Sequence, residues 1–305
     1  MSKDFSCLTT CTLQHLNHIN FNQNNLTALP KGLFALQNLK FLDVANNKLA
    51  HLHEGVGAAQ TLVELRLSGN MLTELPLSIG MLENLEVLDL KDNKLKKLPF
   101  EFGCLAKLLK LNLDGNQLQV VPAGIGNLQT LSDLSIARNK LFQVENDALV
   151  NLKNLVHLDL RQNSFEEFSA VPANKKLDSL NLAYNQLESI TNLENAPNLT
   201  VLDVYNNKLA TLPDTILNLI NLKTLNISNN NLSDINPRLA LLEELAHMNI
   251  EGNPLKSIKP AMRNAGAMQL KKYLKMRLGE DTCEQEERKQ AAAKNMPGSS
   301  GGGVD

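Results

Sequence analysis

The chain has 305 residues, 43% of them hydrophobic and 20% charged, and it carries a formal net charge of -2 at pH 7. This composition excludes a disordered polyelectrolyte, and the near-neutral charge removes any global attraction to nucleic acid or to anionic membranes. No apolar run approaches the roughly 18 residues of a membrane span, and the N-terminal residues lack the apolar core of a signal peptide. We therefore expect a soluble cytoplasmic protein, with the nucleus as the alternative location.

The cysteines agree with a reducing compartment. They are scattered along the chain and form neither a disulfide framework nor the paired spacing of a zinc site. The missing secretion signal and the absence of cysteine-clustered ends also argue against an extracellular receptor fragment. The cysteines are Cys7, Cys11, Cys104 and Cys283.

Residues 1–15 precede the first regular pattern, and we assign them to an N-terminal cap or half repeat. From residue 16 to residue 258 one unit recurs, with copies such as LKFLDVANNKL, LEVLDLKDNKL and LTVLDVYNNKL. Each copy follows L-x-x-L-x-L-x-x-N-x-L, and its asparagine marks the repeat. Successive asparagines are evenly spaced up to the sixth. The next interval is longer by a single residue, the following two are each shorter by a single residue, and the remaining intervals return to the original spacing. The asparagines are Asn24, Asn47, Asn70, Asn93, Asn116, Asn139, Asn163, Asn185, Asn207, Asn230 and Asn253.

The centre of each unit predicts a short strand, because apolar and polar residues alternate there at a period of two. A single repeat cannot bury its apolar face, whereas a stack of repeats shares one interior. The asparagine follows the strand, where its amide can both donate to and accept from backbone groups of the turn. We expect these asparagines to form a structural ladder through the stack.

This period and pattern closely resemble the leucine-rich repeat family over roughly residues 16–258. Five repeats also carry Leu-Pro or Val-Pro at one offset, followed by apolar residues three and six positions later, as in LPLSIGML. That form resembles the intracellular Ras-group type of the family. The resemblance implies an α/β solenoid, a right-handed horseshoe with a parallel concave sheet and short helices or 3-10 turns on the convex side. It also implies a protein-binding scaffold or signalling adaptor.

The register is less regular in the middle of the chain. The repeat that contains VENDALVNL is longer than its neighbours by a single position, and the next repeat, with SFEEFSAVPANKK, lacks the proline and the helical pattern. One interpretation is a local change of the convex side and of curvature. The other is a binding excursion at residues 164–176, since irregular loops often carry function. We favour the first interpretation.

Residues 259–279 predict an amphipathic capping helix, with Ala267, Leu270, Leu274 and Leu278 at helical spacing. Such a helix covers the open end of a solenoid. The segment GNPLKSIKPAMRNAGAMQLKKYLKMRLG resembles the repeat-to-cap segment of the leucine-rich repeat-containing protein 40 family. Residues 280–305 have the composition of a disordered tail.

The cap is strongly basic, with seven Lys or Arg residues and no acidic residue between residues 254 and 278. The simpler interpretation is the solvated face of a capping helix, partly neutralised by the acidic residues that follow it. The alternative is a surface that binds an anionic membrane or nucleic acid. The seven residues are Lys256, Lys259, Arg263, Lys271, Lys272, Lys275 and Arg277.

No set of residues predicts an enzyme, a metal site or a cofactor site. His51 and His53 lack further ligands, and the glycines of Gly55-Val-Gly57 lack the remaining glycines of a nucleotide fingerprint. The exposed positions do not bring together a nucleophile, a base and an orienting group. An enzyme component is therefore the least favoured hypothesis.

Parallel strands lie about 4.8 Å apart, so equivalent positions of successive repeats form columns across the predicted sheet. Arg66 then falls between Asp43 and Asp89, and Lys91 falls beside Asp114. These charges would satisfy one another and form a patterned surface that a partner can contact.

Aromatic residues give a second signal. The chain has no Trp and three Tyr, and two of the tyrosines fall on adjacent repeats, with Phe41 closer to the N-terminus. Exposed tyrosines near arginines are typical of interface centres, and the alternative is a pair of surface aromatics that only pack on neighbouring strands. We predict a monomer whose concave face binds a partner protein. The predicted contact residues are Arg66, Asp89, Lys91, Asp114, Arg138, Asp159, Arg161, Tyr184 and Tyr205.

Overall fold

The computed structural model describes residues 14–279 of the protein. Within this range, eleven three-residue strands form one parallel sheet, ordered β1-β2-β3-β4-β5-β7-β9-β11-β13-β14-β15, and four shorter strands form two pairs. In chain order the strands are β1 His18–Asn20, β2 Phe41–Asp43, β3 Glu64–Arg66, β4 Val87–Asp89, β5 Lys110–Asn112, β6 Val120–Val121, β7 Asp133–Ser135, β8 Gln143–Val144, β9 His157–Asp159, β10 Glu167–Phe168, β11 Ser179–Asn181, β12 Ser189–Ile190, β13 Val201–Asp203, β14 Thr224–Asn226 and β15 His247–Asn249.

The large sheet forms because the middle residue of each strand points into a shared interior. Leu42, Leu65 and Leu88 lie opposite one another in register and are fully buried. Residues on either side of them face outward, as expected for a period of two. Apolar side chains of all the repeats form one continuous hydrophobic cluster. The predicted eleven-repeat parallel solenoid is therefore confirmed.

The convex side carries 3-10 helices, as predicted. Five of them begin directly after a proline, whose fixed φ suits an N-cap and which has no N–H group to leave unpaired. His53 takes the place of that proline in one repeat, and its Nδ1 accepts a hydrogen bond of 2.8 Å from the N–H of Gly55. The 3-10 helices are Lys31–Ala35, Glu54–Ala58, Leu77–Met81, Phe100–Cys104, Ala123–Asn127, Glu145–Asp147, Leu193–Asn195, Asp214–Asn218 and Pro237–Leu241.

The irregular middle repeat packs onto the core. Residues 169–178 form neither helix nor strand, yet Val171 and Leu177 are fully buried. The amide of buried Asn174 donates to the carbonyl of Leu152 and accepts from the N–H groups of Lys176 and Leu177, all at 2.7 Å. These contacts show that this part of the repeat packs on the core and does not project from it.

The asparagine ladder is the main polar structure of the interior. In Asn116, the side-chain N–H groups contact the carbonyls of Leu90 and Leu113, both at 3.0 Å, and its Oδ1 accepts from the N–H of Leu95 at 3.0 Å. Leu90 and Leu95 belong to the preceding repeat. Each amide therefore joins two repeats, in agreement with the predicted ladder. The same set of contacts recurs at Asn47, Asn70, Asn93, Asn139, Asn163, Asn185, Asn207, Asn230 and Asn253.

Two helical segments close the C-terminal end. A short helix, α1, spans Pro260–Arg263, and residues 267–279 are helical in the described part of the chain. Leu270 and Leu274 are fully buried and join the hydrophobic cluster of the repeats. We refer to residues 267–279 as the capping helix.

Some predictions lie outside the described residues. They concern residues 1–13 of the N-terminal cap or half repeat, the charged and glycine-rich segment 280–305, and the cysteines Cys7, Cys11 and Cys283. Among residues 14–279, no helix has the length and apolar character needed to cross a membrane.

Asn116→Leu is expected to lower the free energy of unfolding by about 1–3 kcal/mol, because it leaves buried N–H and C=O groups of two repeats without partners. Chemical denaturation followed by circular dichroism measures the loss. Asn24→Leu is the matched control, since Asn24 is exposed and, among residues 14–279, its amide contacts carbonyls of its own repeat and none of another. Equal effects of the two substitutions would contradict the role of the ladder.

Candidate functional site

The concave face shows the columns predicted from the repeat spacing. Asp43 pairs in register with Arg66, and Arg66 pairs with Asp89. The same register continues through Asp159, which is opposite Ser135 on one side and Asn181 on the other. The third residue of each strand therefore forms a single column. We call it the mid-strand column, because each of its residues stands between two inward-pointing residues of its repeat.

The mid-strand column has a structural role that the sequence analysis missed. The carboxylate of Asp89 accepts a hydrogen bond of 3.1 Å from the N–H of Lys91, and Asp159 accepts one of 3.0 Å from the N–H of Arg161. An Asp or Asn side chain that bonds its own backbone two residues on stabilises the exit from a strand. The recurrence of Asp and Asn in this column was the available signal. The same bond is made by Asn20, Asp43, Asn112, Asn181, Asp203, Asn226 and Asn249.

Asp114 is a buried part of this system. The column residue of the next repeat is Ser135, and there Asp114 accepts the bond from the backbone two residues on, from the N–H of Ala137 at 2.8 Å. Asp114 also accepts from the Ser135 hydroxyl at 2.6 Å. Asp114 is 7% exposed. The predicted pairing of Asp114 with Lys91 is absent from the ion pairs of the described residues, because the carboxylate is engaged from the other side.

Arg66 lies at the predicted position but pairs differently. Its guanidinium contacts the carboxylate of Glu64 in the same strand and lies 5.2 Å from the centre of the Phe41 ring. Phe41 is half-buried and stacks on His18, with ring centres 4.1 Å apart. Asp43, the expected partner of Arg66, is buried and bonds the N–H of Ala45. The prediction that Arg66 pairs with Asp43 and Asp89 was wrong, since its ion-pair partner among the described residues is Glu64.

Two other arginines form exposed ion pairs. Arg138 contacts Asp92 at 3.1 Å, across two repeats, and Arg161 contacts Asp159 at 3.2 Å within one repeat. Exposed pairs of this kind add little to stability. They leave both arginines partly exposed at the concave surface, where the sequence analysis placed them.

Tyr184 and Tyr205 are in contact. Their ring centres are 4.9 Å apart at an interplanar angle of 81°, an edge-to-face arrangement. The Tyr205 hydroxyl accepts a hydrogen bond of 3.0 Å from Asn229, and the hydrogen bond between the tyrosines raises the pKa of Tyr184. The Tyr184 side chain is 45% exposed. The pair therefore forms one aromatic patch with an open face.

The backbone at Tyr184 is strained. The residue before each ladder asparagine adopts a left-handed conformation, and Tyr184 has φ of 56°. Gly69 fills this position in another repeat, where a Cβ would lie 2.5 Å from the Asn46 side chain. Glycine and asparagine tolerate this conformation, whereas a bulky residue adopts it at an energetic cost. Arg138, with φ of 53°, occupies the same position, so two predicted contact residues stand where the backbone does not favour them.

Two carboxylates near the tyrosines are partly removed from water. Burial raises the pKa of Asp159, against the opposing effects of the Arg161 N–H and guanidinium. Burial also raises the pKa of Asp203, opposed by the N–H of Tyr205 and by Asn226. The nearby acidic groups add to the shift of Asp159, so this part of the concave face is acidic.

Three of the seven basic cap residues are engaged within the protein. Arg263 donates to the carbonyls of Ile258 and Leu255, and Arg277 forms an ion pair of 3.0 Å with Asp234. Lys271 donates to three carbonyls just after the last 3-10 helix, those of Leu242, Glu243 and Leu245, at 2.7, 3.2 and 3.2 Å. These contacts fasten the cap to the last repeat. Four lysines remain exposed, namely Lys256, Lys259, Lys272 and Lys275.

The remaining candidate chemistry is dispersed. Among residues 14–279, no three His, Cys, Asp or Glu side chains are placed to hold a metal ion. His53 caps a helix, and Cys104 is an exposed free thiol at the end of a 3-10 helix.

Two family models match the chain. One is described as a leucine-rich repeat region and matches residues 60–198, and the other, described as leucine rich repeat, matches residues 197–255. The two matches together cover residues 60–255, which is more than half of the chain. The chain belongs to the leucine-rich repeat family. A comparison with curated proteins finds no match.

Solved leucine-rich repeat structures share this fold. A leucine-rich repeat protein of Leptospira interrogans is 28% identical with a TM-score of 0.59, and the match covers 80% of this chain and 63% of that one. The plant peptide hormone receptor RGFR1, in complex with RGF2, is 26% identical with a TM-score of 0.63 over 79% of this chain and 44% of the receptor. The functional domain of InlJ from Listeria monocytogenes, at 24% identity and a TM-score of 0.67, covers 82% of this chain and 51% of its own length, and supports the fold alone. This leucine-rich repeat chain thus spans less than two thirds of each of these proteins.

Asp203→Asn is expected to raise the melting temperature at neutral pH. Because burial raises the pKa of Asp203 above its usual 3.8, the folded state holds this proton more tightly than the unfolded state. Wild-type stability therefore falls as the pH rises from 3.8 through the folded-state pKa. Asparagine keeps the bond to the N–H of residue 205, as Asn181 does with Ala183. Thermal unfolding measures the gain at about pH 7 and its disappearance at about pH 3; a gain that is independent of pH would contradict this account.

Lys271→Met is expected to lower the free energy of unfolding by about 1–2 kcal/mol, because three carbonyls at the last repeat lose their charged donor. Lys272→Met, on the adjacent exposed residue of the same helix, is the matched control and should leave stability nearly unchanged. Urea denaturation of both variants shows whether the Lys271 ammonium group stabilises the last repeat or is only solvated. Equal stability of the two variants would show that Lys271 does not fasten the cap.

Proposed function

We propose that this leucine-rich repeat protein is a non-enzymatic intracellular scaffold or adaptor whose concave face binds a partner protein. Leucine-rich repeat proteins are in general protein-interaction scaffolds, since stacked repeats present a long continuous surface. The observation that carries the proposal is the exposed edge-to-face pair of Tyr184 and Tyr205 on that surface.

The tyrosine pair has the properties of an interface anchor. Each ring offers a large apolar area with few rotatable bonds, and the contact between the rings reduces the freedom that binding would remove. Asn229 further restrains Tyr205.

Charged residues around the anchor would orient the partner. Arg66, Arg138 and Arg161 are exposed, each beside one carboxylate that a partner carboxylate could replace. Complementary charges at a rim chiefly raise the association rate and set the register. Asp89, Lys91 and Asp159 are partly exposed and complete the proposed footprint, whereas Asp114 contributes from below by supporting the backbone.

A protein or peptide partner is consistent with the comparisons. RGFR1, at 26% identity, is in complex with RGF2. The proline-containing repeats resemble the intracellular Ras-group type and the cap resembles the leucine-rich repeat-containing protein 40 family, and on that basis we assign the protein to the cytoplasm or nucleus as a monomer. Membrane or nucleic-acid binding through the cap is the weaker proposal, because three of the seven basic residues are engaged in contacts within the chain.

Affinity capture with the double variant Tyr184→Ala, Tyr205→Ala tests the footprint. Proteins recovered by the wild-type chain from lysate of its source organism are expected to fall by at least about tenfold, as for loss of two hot-spot residues. Quantitative mass spectrometry measures the recovery, and circular dichroism confirms that the variant is folded.

Phe100→Ala is the control, because Phe100 is an aromatic residue on the convex side with 77% exposure. It should retain the partners that the tyrosine variant loses. Unchanged recovery with the tyrosine variant would rule out this footprint.

A further inference from the structure

The short strands that follow the ladder asparagines do not form one continuous sheet. Four successive repeats place a two-residue strand four and five residues after the ladder asparagine, as β6, β8, β10 and β12. β6 pairs with β8, and β10 pairs with β12, but β8 and β10 belong to separate sheets. A regular stack would join all four strands. The interruption leaves a gap in the hydrogen-bond ladder between β8 and β10, although the N–H of Ser164 still joins the two repeats by donating to the carbonyl of Leu141 at 2.8 Å.

The sequence explains where the interruption lies. The interval from Asn139 to Asn163 is longer by a single position than the usual spacing of the ladder asparagines. Within this repeat, Asn146 and Asp147 both adopt left-handed conformations, with φ of 46° and 51°. The repeat that follows has no 3-10 helix after its short strand. The two sides of the gap therefore follow different backbone paths.

Two adjoining clefts of about 460 and 250 Å³ lie at this gap and share Phe142 and Glu167. We call them together the seam cleft. Phe142 is 53% exposed, and Phe165 and Phe168 form a buried apolar wall.

The seam cleft is acidic. Asp147, Glu166, Glu167 and Glu188 line it, and no Lys or Arg is among the lining residues. None of these four carboxylates takes part in an ion pair within the part of the chain that the structure describes. Four negative charges exceed the net charge of -2 of the whole chain. The cleft therefore has a local negative potential that attracts a cation.

The carboxylates do not suit a metal ion. They are spread along the two clefts, and no three acidic, His or Cys side chains within residues 14–279 are placed to hold one. An organic cation of greater length fits this distribution better. An exposed aromatic ring beside carboxylates favours a lysine or arginine, whose charge meets the acids, next to an apolar side chain that packs on the ring.

We propose that the seam cleft binds an extended segment of a partner protein in which a lysine or arginine stands next to an apolar residue. The basic side chain contacts Glu167 and Glu188, and the apolar residue packs on Phe142. This site is separate from the tyrosine patch of the concave face, so one chain can hold two partners at once.

Selection from a phage-displayed library of random nonapeptides against the full-length protein tests the proposal. The seam variant is Glu167→Lys with Glu188→Lys. The matched control is Glu74→Lys with Glu83→Lys, which reverses two exposed carboxylates elsewhere on the chain. Enriched peptides are expected to carry Lys or Arg beside an apolar residue and to bind the seam variant at least about tenfold more weakly than the wild type.

The same peptides should bind the control variant and the Tyr184→Ala, Tyr205→Ala variant with wild-type affinity, and should bind more weakly as salt is raised. Fluorescence anisotropy measures the affinities, and thermal unfolding verifies the fold of each variant. The proposal is overturned if no enriched peptide depends on Glu167 and Glu188, or if the dependent peptides lack a basic residue. Dependence on the tyrosines alone would support only the concave footprint.

Discussion

The structure depends on how a stack of repeats satisfies the backbone groups at the exit of each strand. These N–H and C=O groups lie inside the protein, where an unpaired polar group is costly. One amide side chain, as at Asn116, accepts from one N–H group and donates to carbonyls of its own and the preceding repeat. Because the bonds join neighbours, the spacing of the asparagines sets the spacing of the repeats. The leucines can then fill a single interior.

A second set of side-chain bonds decides which concave residues are available to a partner. Asp or Asn in the mid-strand column bonds the backbone two residues on, as Asp203 does with Tyr205. At Asp203 this use of one oxygen leaves the rest of the carboxylate partly exposed, so the same residue both shapes the turn and charges the face, whereas Asp43 in the same column is buried. Asp114 goes further and is buried in that task. Charge in the sequence is therefore a poor measure of charge offered to a ligand.

Irregular repeats are tolerated because each repeat contacts chiefly its neighbours. The long spacing before Asn163 changes the crossover side without disturbing the large sheet, in which β7 and β9 remain in register. Asn174 supplies internal hydrogen bonds in the repeat that has lost its helix. At the C-terminal end, Lys271 and Arg277 of the capping helix bond to the last repeat, in the place that a further repeat would take. Variation is thus concentrated on one side and one end, and the variation within the stack produces the seam cleft.

Periodicity in the sequence was enough to predict the repeat number, the parallel sheet, the asparagine ladder and the columns of the concave face. A regular leucine-rich repeat combined with a strand period of two leaves one way to bury the leucines. The same periodicity placed Tyr184 and Tyr205 on neighbouring repeats. The partners of individual side chains, by contrast, became known from the folded chain, in which Arg66 contacts Glu64 and Asp114 bonds Ser135. The folded chain also showed that β8 does not pair with β10. The physical reason is that burial is governed by periodicity, whereas the direction of a long charged side chain and the path of a turn depend on small differences in distance between repeats.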